Sequence, residues 1–258
     1  MLALGGPAAA PARGGESGGA SASSLDEYVP DFAARPATEA IVAAVDAASS
    51  AGGGTVVLPA GPLDLTRDLR LPSHVTLRGM SWPGSVLRSS NGGRAVVVDD
   101  GAEGVALENL TVPAVRFGAS ASYCTVRRVR VLDAPGDALV LPRAVARHLS
   151  LEQVVVEGCG GDGVVHRAPD ASGVFLSEVA VSGFGGSSDQ ACALRIGGRA
   201  QITQLHVEPV RPGHCGVLFT EGSELSSLTN FTMRLDGGDD VRLEPPSLDV
   251  AVGVGSVV

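Results

Sequence analysis

The chain has 258 residues, 44% of them hydrophobic but only 3% aromatic, so a sizeable core is available and must be filled by small aliphatic side chains. The formal charge is −9, and the 19 basic residues, all arginines, are outnumbered by 28 acidic ones, which argues against a nucleic-acid partner because phosphate binding needs clustered positive charge. No run of roughly 18 apolar residues is present, so no membrane-spanning helix and no membrane partner are expected.

Residues 1–24, MLALGGPAAAPARGGESGGASASS, are rich in Ala, Gly and Ser. They lack a basic start and carry too short an apolar stretch for a complete signal peptide, so they read as a disordered tail and leave the cellular location open. A single domain is expected over 25–258. ATEAIVAAVDAASSAGGG predicts a helix over about 38–50, with Thr38 as N-cap, Ile41, Val42 and Val45 at helical spacing and Gly52 as the stop. The glycines at 52–54 precede TVVLPAG, an apolar run with strand character. A phosphate loop needs Gly-Lys-Ser/Thr ahead of a helix, so the triple glycine reads as a turn between helix and strand.

Downstream, one phrase recurs, apolar-x-apolar-x-x-apolar-x-apolar: VALENLTV, CTVRRVRV, LSLEQVVV, VFLSEVAV, AQITQLHV and SSLTNFTM. Its second apolar position falls at Leu107, Val126, Leu151, Leu176, Ile202 and Leu228, a period of about 25 residues with no helix inside it. That is too short for a propeller blade and lacks the Leu-Asn signature of leucine-rich repeats, which leaves a parallel β-solenoid. A second short strand follows each phrase, at GDALVL, GDGVVH, DQACALRI, GHCGVLF and DDVRLE. The helix at the N-terminal side is placed to cap the first coil. The C-terminal VAVGVGSVV shows no comparable cap, so self-association through that coil is expected unless other sequence covers it.

The segment VPDFAARPATEAIVAAVDAASSAGGGTVVLPAGPLDLTRDLRLPSHVTLRGM, Val29 to Met80, resembles the N-terminal cap and first coils of the pectate lyase superfamily, with the loop before the helix shortened to AARPA. The resemblance implies an all-β, single-stranded right-handed parallel β-helix, secretion, and a carbohydrate substrate. Polygalacturonase-like members carry Asn-Thr-Asp, Asp-Asp, Gly-His-Gly and Arg-x-Lys in that order. Here GGDD at 237–240, GHCG at 213–216 and RIGG at 195–198 run in a different order and lack the Lys, so only the fold and a carbohydrate expectation carry over.

Superimposing the repeats by sequence stacks Asp137, Asp162, Asp189, His214 and Asp239 at the turn into the second strand, with spacings of 25, 27, 25 and 25. Two readings stand. Asp beside Gly at a repeated turn caps backbone amides, once per coil; Asp99, Asp100 and Asp133 belong to that class. Alternatively, carboxylates about 4.8 Å apart must shift their pKa, recruit an Arg or share a cation. On that reading Asp137 and Asp162 hold Ca²⁺, while Asp162, Asp189, His214 and Asp239 form a catalytic column. Asp189 and Asp239, roughly 9.6 Å apart, lie near the upper limit for an inverting glycosidase. Arg195 and Arg242, turned outward by the alternation of their strands, bind an acidic sugar or form surface ion pairs, and the resemblance to lyases of the family implies a further role, removal of a proton beside a uronate carboxyl.

His166 and His206 read as structural or surface residues, His74 and His148 as loop residues, and Trp82 and Tyr123 as rim rings able to stack on a sugar. Cys124, Cys159, Cys192 and Cys215 lack metal-site spacing and read as buried free thiols, with Cys192 and Cys215 close in register. The leading functional expectation is an enzyme on an acidic poly- or oligosaccharide, acting by β-elimination or hydrolysis. The alternatives are a non-catalytic glycan-binding or structural β-helix, and a small-molecule isomerase or cyclase on the same fold.

Overall fold

In the computed structural model, which describes residues 26–82, 84–89, 95–145, 147–168, 170–245 and 249–258, each repeated phrase is one long strand. These strands are Ala106–Val112, Thr125–Ala134, Arg147–Cys159, Ser172–Ser182, Gln201–Val210 and Ser227–Leu235. Each pairs in parallel with the copy before and after it, so that Leu107, Val126, Leu151, Leu176, Ile202 and Leu228 form one continuous column. All six are buried. The second strands build a parallel sheet of eight among the described residues, from Leu69–Leu71 to Asp239–Leu243. Side chains from both sheets merge into one apolar cluster, the expected interior of a right-handed parallel β-helix.

The doubled polar position inside the phrase has a backbone cause. Its second residue is left-handed in every copy: Asn109, Arg128, Gln153, Glu178, Gln204 and Asn230 all have φ between 52 and 56°. A single left-handed residue bends the strand, so that the apolar residues two before and one after it both face inward; Leu151 and Val154 are buried on either side of Gln153. A left-handed residue other than glycine costs roughly 1–2 kcal/mol, and burial of the paired aliphatic side chains offsets it.

The helix spans Ala37–Ser50 and buries Ile41, Val45 and Ala48 in the apolar cluster. Its N-cap is Pro36 rather than Thr38. Thr38 is buried instead, donating to the Asp64 carbonyl at 3.1 Å and accepting from the Thr66 amide at 2.9 Å, which stitches the helix to the first coil. The glycine turn follows the helix as expected. At Gly54, φ is 146° and a Cβ would lie 2.6 Å from the Tyr28 ring, so backbone conformation and close approach both demand glycine.

At the other end, Ala251–Val252 and Gly255–Val257 pair with Ser227–Leu235 and leave Val252, Val254, Val257 and Val258 exposed. No helix is long and apolar enough to cross a membrane among the described residues. The stretch read as a disordered tail lies outside the described residues.

Candidate functional site

The second sheet places the predicted column differently from the sequence superposition. Leu139 pairs with Val164, which keeps Asp137 and Asp162 in line, but Val164 pairs with Leu194, and Cys192 with Cys215 and then Asp239. The column therefore reads Asp137, Asp162, Cys192, Cys215, Asp239. The loop 184–191 carries extra residues, so Asp189 falls three positions short of the rung and is exposed, while His214 falls one short.

Within the column, side chains cap the next coil. Asp137 Oδ1 accepts the Asp162 amide at 2.9 Å, and Asp162 Oδ1 accepts the Cys192 amide at 2.7 Å. The same device recurs earlier, where Asp68 accepts from the Ala95 amide and Asp100 from the Ser120 amide. Asp162 is buried, and its carboxylate also takes Arg195 Nε at 2.5 Å and a terminal amino group at 3.2 Å. The hydrogen bond to Asp162 pushes the Arg195 guanidinium further up, against the opposing effect of burial. Arg242 pairs with Asp239 on the same strand, with Nε at 3.1 Å.

Between these two ion pairs lie Cys192 and Cys215, both buried and free. A hydrogen bond between the thiols pushes Cys192 up and Cys215 down; burial adds to the first shift and opposes the second. His214 is buried beneath the loop, its Nε2 3.0 Å from the Ser188 carbonyl oxygen and its ring tilted against Phe184. The donor set does not fit Ca²⁺. Both oxygens of Asp162 are engaged by Arg195 and an amide, and no three His, Cys, Asp or Glu side chains converge among the described residues.

A more open arrangement lies on the outer face of the long sheet. Two contiguous grooves, of about 500 and 460 Å³, share Arg128, Gln153 and Glu178 from the left-handed column. Phe175 lines the first and Trp82 the second, and these rings are 40% and 41% exposed. Glu178 accepts from the Gln153 amide at 2.9 Å, and Glu152 from the Ser150 hydroxyl at 2.8 Å. Arg128 is exposed and makes no hydrogen bond or ion pair among the described residues.

Along the neighbouring column, charges alternate as Arg78, Glu108, Arg127 and Glu152. Glu108 bonds both arginines at 3.0 Å. Burial pushes its carboxyl up, but the hydrogen bonds and attraction of Arg78 and Arg127 outweigh that and hold it below the usual carboxylate range.

Arg128, Gln153, Phe175 and Glu178 are absent from the sequence-based site. The signal for three of them was the doubled polar position of the phrase, whose bend turns those side chains into one outward column. Trp82, expected at a rim, lines the groove, whereas Tyr123 stacks on His148 at 5.2 Å. His166 is wholly buried, and burial pushes it down to about 4, opposed by a hydrogen bond with the Arg199 backbone. His206 is exposed and lies 3.4 Å from Glu208.

No protein-family model matches the chain, and no curated protein is significantly similar to it. Among solved structures, a candidate glycosyl hydrolase from Parabacteroides merdae is similar at 15% identity, over 90% of this chain and 97% of that one, with a TM-score of 0.41. The A-module of the Azotobacter vinelandii mannuronan C-5 epimerase AlgE6 is similar at 18% identity, over 91% and 98%, with a TM-score of 0.34. The tailspike protein gp49 of Acinetobacter baumannii bacteriophage Fri1, a capsular polysaccharide depolymerase, is similar at 12% identity, over 91% of this chain and 61% of that one, with a TM-score of 0.42. At these levels the likeness assigns no activity and no residue.

Proposed function

We propose that this β-helix binds an acidic oligosaccharide across its coils, in the groove lined by Trp82, Arg128, Gln153, Phe175 and Glu178. The observation that carries the reading is the free guanidinium of Arg128 in a depression with an exposed aromatic ring on either part of its lining. Exposed rings offer apolar faces to sugar C–H groups, amide and carboxylate side chains bond hydroxyls, and an unpaired Arg holds a carboxylate in two-point contact.

The column at the second sheet supports a structural reading better than a catalytic one. Asp162 is consumed by its amide and Arg195, Asp239 by Arg242, and His214 Nε2 by Ser188. A second, enzymatic reading rests on one observation: Glu152 and Glu178 line the same groove as Arg127 and Arg128, two carboxylates and two cations within one depression. β-Elimination and hydrolysis then separate by product, since only elimination yields an unsaturated sugar absorbing in the ultraviolet.

Calorimetric titration with acidic and neutral oligosaccharides of equal length tests the proposal. Acidic chains are expected to bind, Arg128→Gln to weaken them about tenfold, and Trp82→Ala and Phe175→Ala to weaken both classes. Equal affinity of wild type and Arg128→Gln for every acidic chain contradicts it. Product formation lost in Glu152→Gln or Glu178→Gln, with binding retained, adds the enzymatic reading.

A further inference from the structure

A cleft of about 380 Å³ lies beside the strand Ser85–Ser89 and shares no lining residue with the groove. Its walls are largely apolar, formed by Val86, Pro113, Leu132 and Pro135, and two guanidiniums, those of Arg88 and Arg130, line it as well. Arg88 is exposed and has no hydrogen bond or ion pair among the described residues. Arg130 gives one amino group to Glu157, while its Nε–H is buried without an acceptor among the described residues. That Nε–H is out of reach of the cleft, so a ligand there meets Arg130 through its terminal amino groups and Arg88 through its exposed fork.

Among the lining residues the two guanidiniums face a single carboxylate, Asp133, and Glu157 meets only one amino group of Arg130. Counted together, Asp133 and Glu157 balance the two guanidiniums, and what remains unspent is the hydrogen-bonding capacity of the Arg88 fork. A carboxylate then adds one negative charge to a balanced site, whereas a phosphate dianion adds two and must shed more tightly held water against apolar walls. Arginine forks match the planar geometry of a carboxylate. The volume lies at the small end of ligand pockets.

The geometry points to a binding site for a small monocarboxylic acid with an apolar body, its carboxylate between Arg88 and Arg130 and its body against Pro113, Leu132 and Pro135. This site is separate from the glycan groove, so either can fail without the other.

Ligand-observed NMR on the full chain, with benzoate and phenylacetate as probes and benzamide and inorganic phosphate as controls, tests the assignment. One of the two carboxylates is expected to bind, with no binding of benzamide and no competition by phosphate. Arg88→Gln, at an exposed position without partners, is expected to weaken the carboxylate about tenfold and leave the fold intact. Arg130→Gln is expected to weaken the carboxylate likewise, and Glu178→Gln in the separate groove to leave binding of these probes unchanged. Equal binding of benzamide, displacement by phosphate, an unchanged affinity in Arg88→Gln, or no binding of either probe overturns the assignment.

Discussion

Asp162→Asn separates a structural column from a catalytic one. The asparagine keeps an acceptor for the Cys192 amide, now 2.7 Å from Oδ1, but removes the negative charge facing Arg195. Removing one partner of a buried ion pair costs about 3–5 kcal/mol. The Arg195 side chain is 24% exposed, so water recovers part of that loss and about 2–3 kcal/mol is expected. For a chain of this size the loss lowers the midpoint of thermal unfolding by about 5–10 °C. Scanning calorimetry measures it, and titration with acidic oligosaccharide on the same protein is expected to give an unchanged affinity. Arg195→Met added to Asp162→Asn is expected to restore part of the stability, because the uncompensated charge is then gone. A variant as stable as wild type that has lost an activity on carbohydrate refutes the structural reading and returns Asp162 to a catalytic role.

Three further outcomes follow from the same geometry. His166 has a folded value of about 4 against an ordinary 6.5, so the unfolded chain holds the proton more tightly and stability falls as pH drops from about 6.5 to about 4. In denaturant melts at a series of pH values, His166→Leu is expected to remove that limb; an unaltered limb refutes the assignment. Gln204 is left-handed, exposed and in no side-chain hydrogen bond among the described residues, so Gln204→Gly is expected to leave stability unchanged or raise it by up to about 1 kcal/mol, and Gln204→Val to lower it. The reverse order in chemical denaturation contradicts the bend. The four cysteines are buried, with Cys124 and Cys159 pushed up to about 11 by burial, so a thiol reagent is expected to label none in the native protein and all four in denaturant. Rapid native labelling at Cys215 contradicts that packing.

The coil architecture was legible because each turn of the β-helix buries like residues on like, and that stacking writes itself into the chain as a period. The capping helix was legible for a similar reason, though Thr38, read as a cap, proves to be a buried stitch to the first coil. The site was less legible, since a sequence superposition assumes that equal spacing means equal rung. The loop 184–191 breaks that assumption and puts Cys192 and Cys215 where Asp189 and His214 were expected. The groove was hidden for a different reason. Arg128, Gln153 and Glu178 differ in chemistry, and only their shared left-handed backbone reveals them as one column.

Trp82 is the single tryptophan of the chain and lines the proposed binding groove, so its emission reports binding without a label. Titrating wild type and Arg128→Gln with an acidic oligosaccharide, and with its carboxyl-reduced neutral form, is the most direct measurement. A saturable change in wild type with the acidic chain, shifted to about tenfold higher concentration both in Arg128→Gln and with the neutral chain, is the predicted result. No change of Trp82 emission with any acidic chain, or the same curve in both proteins, contradicts the proposal that this groove binds glycan.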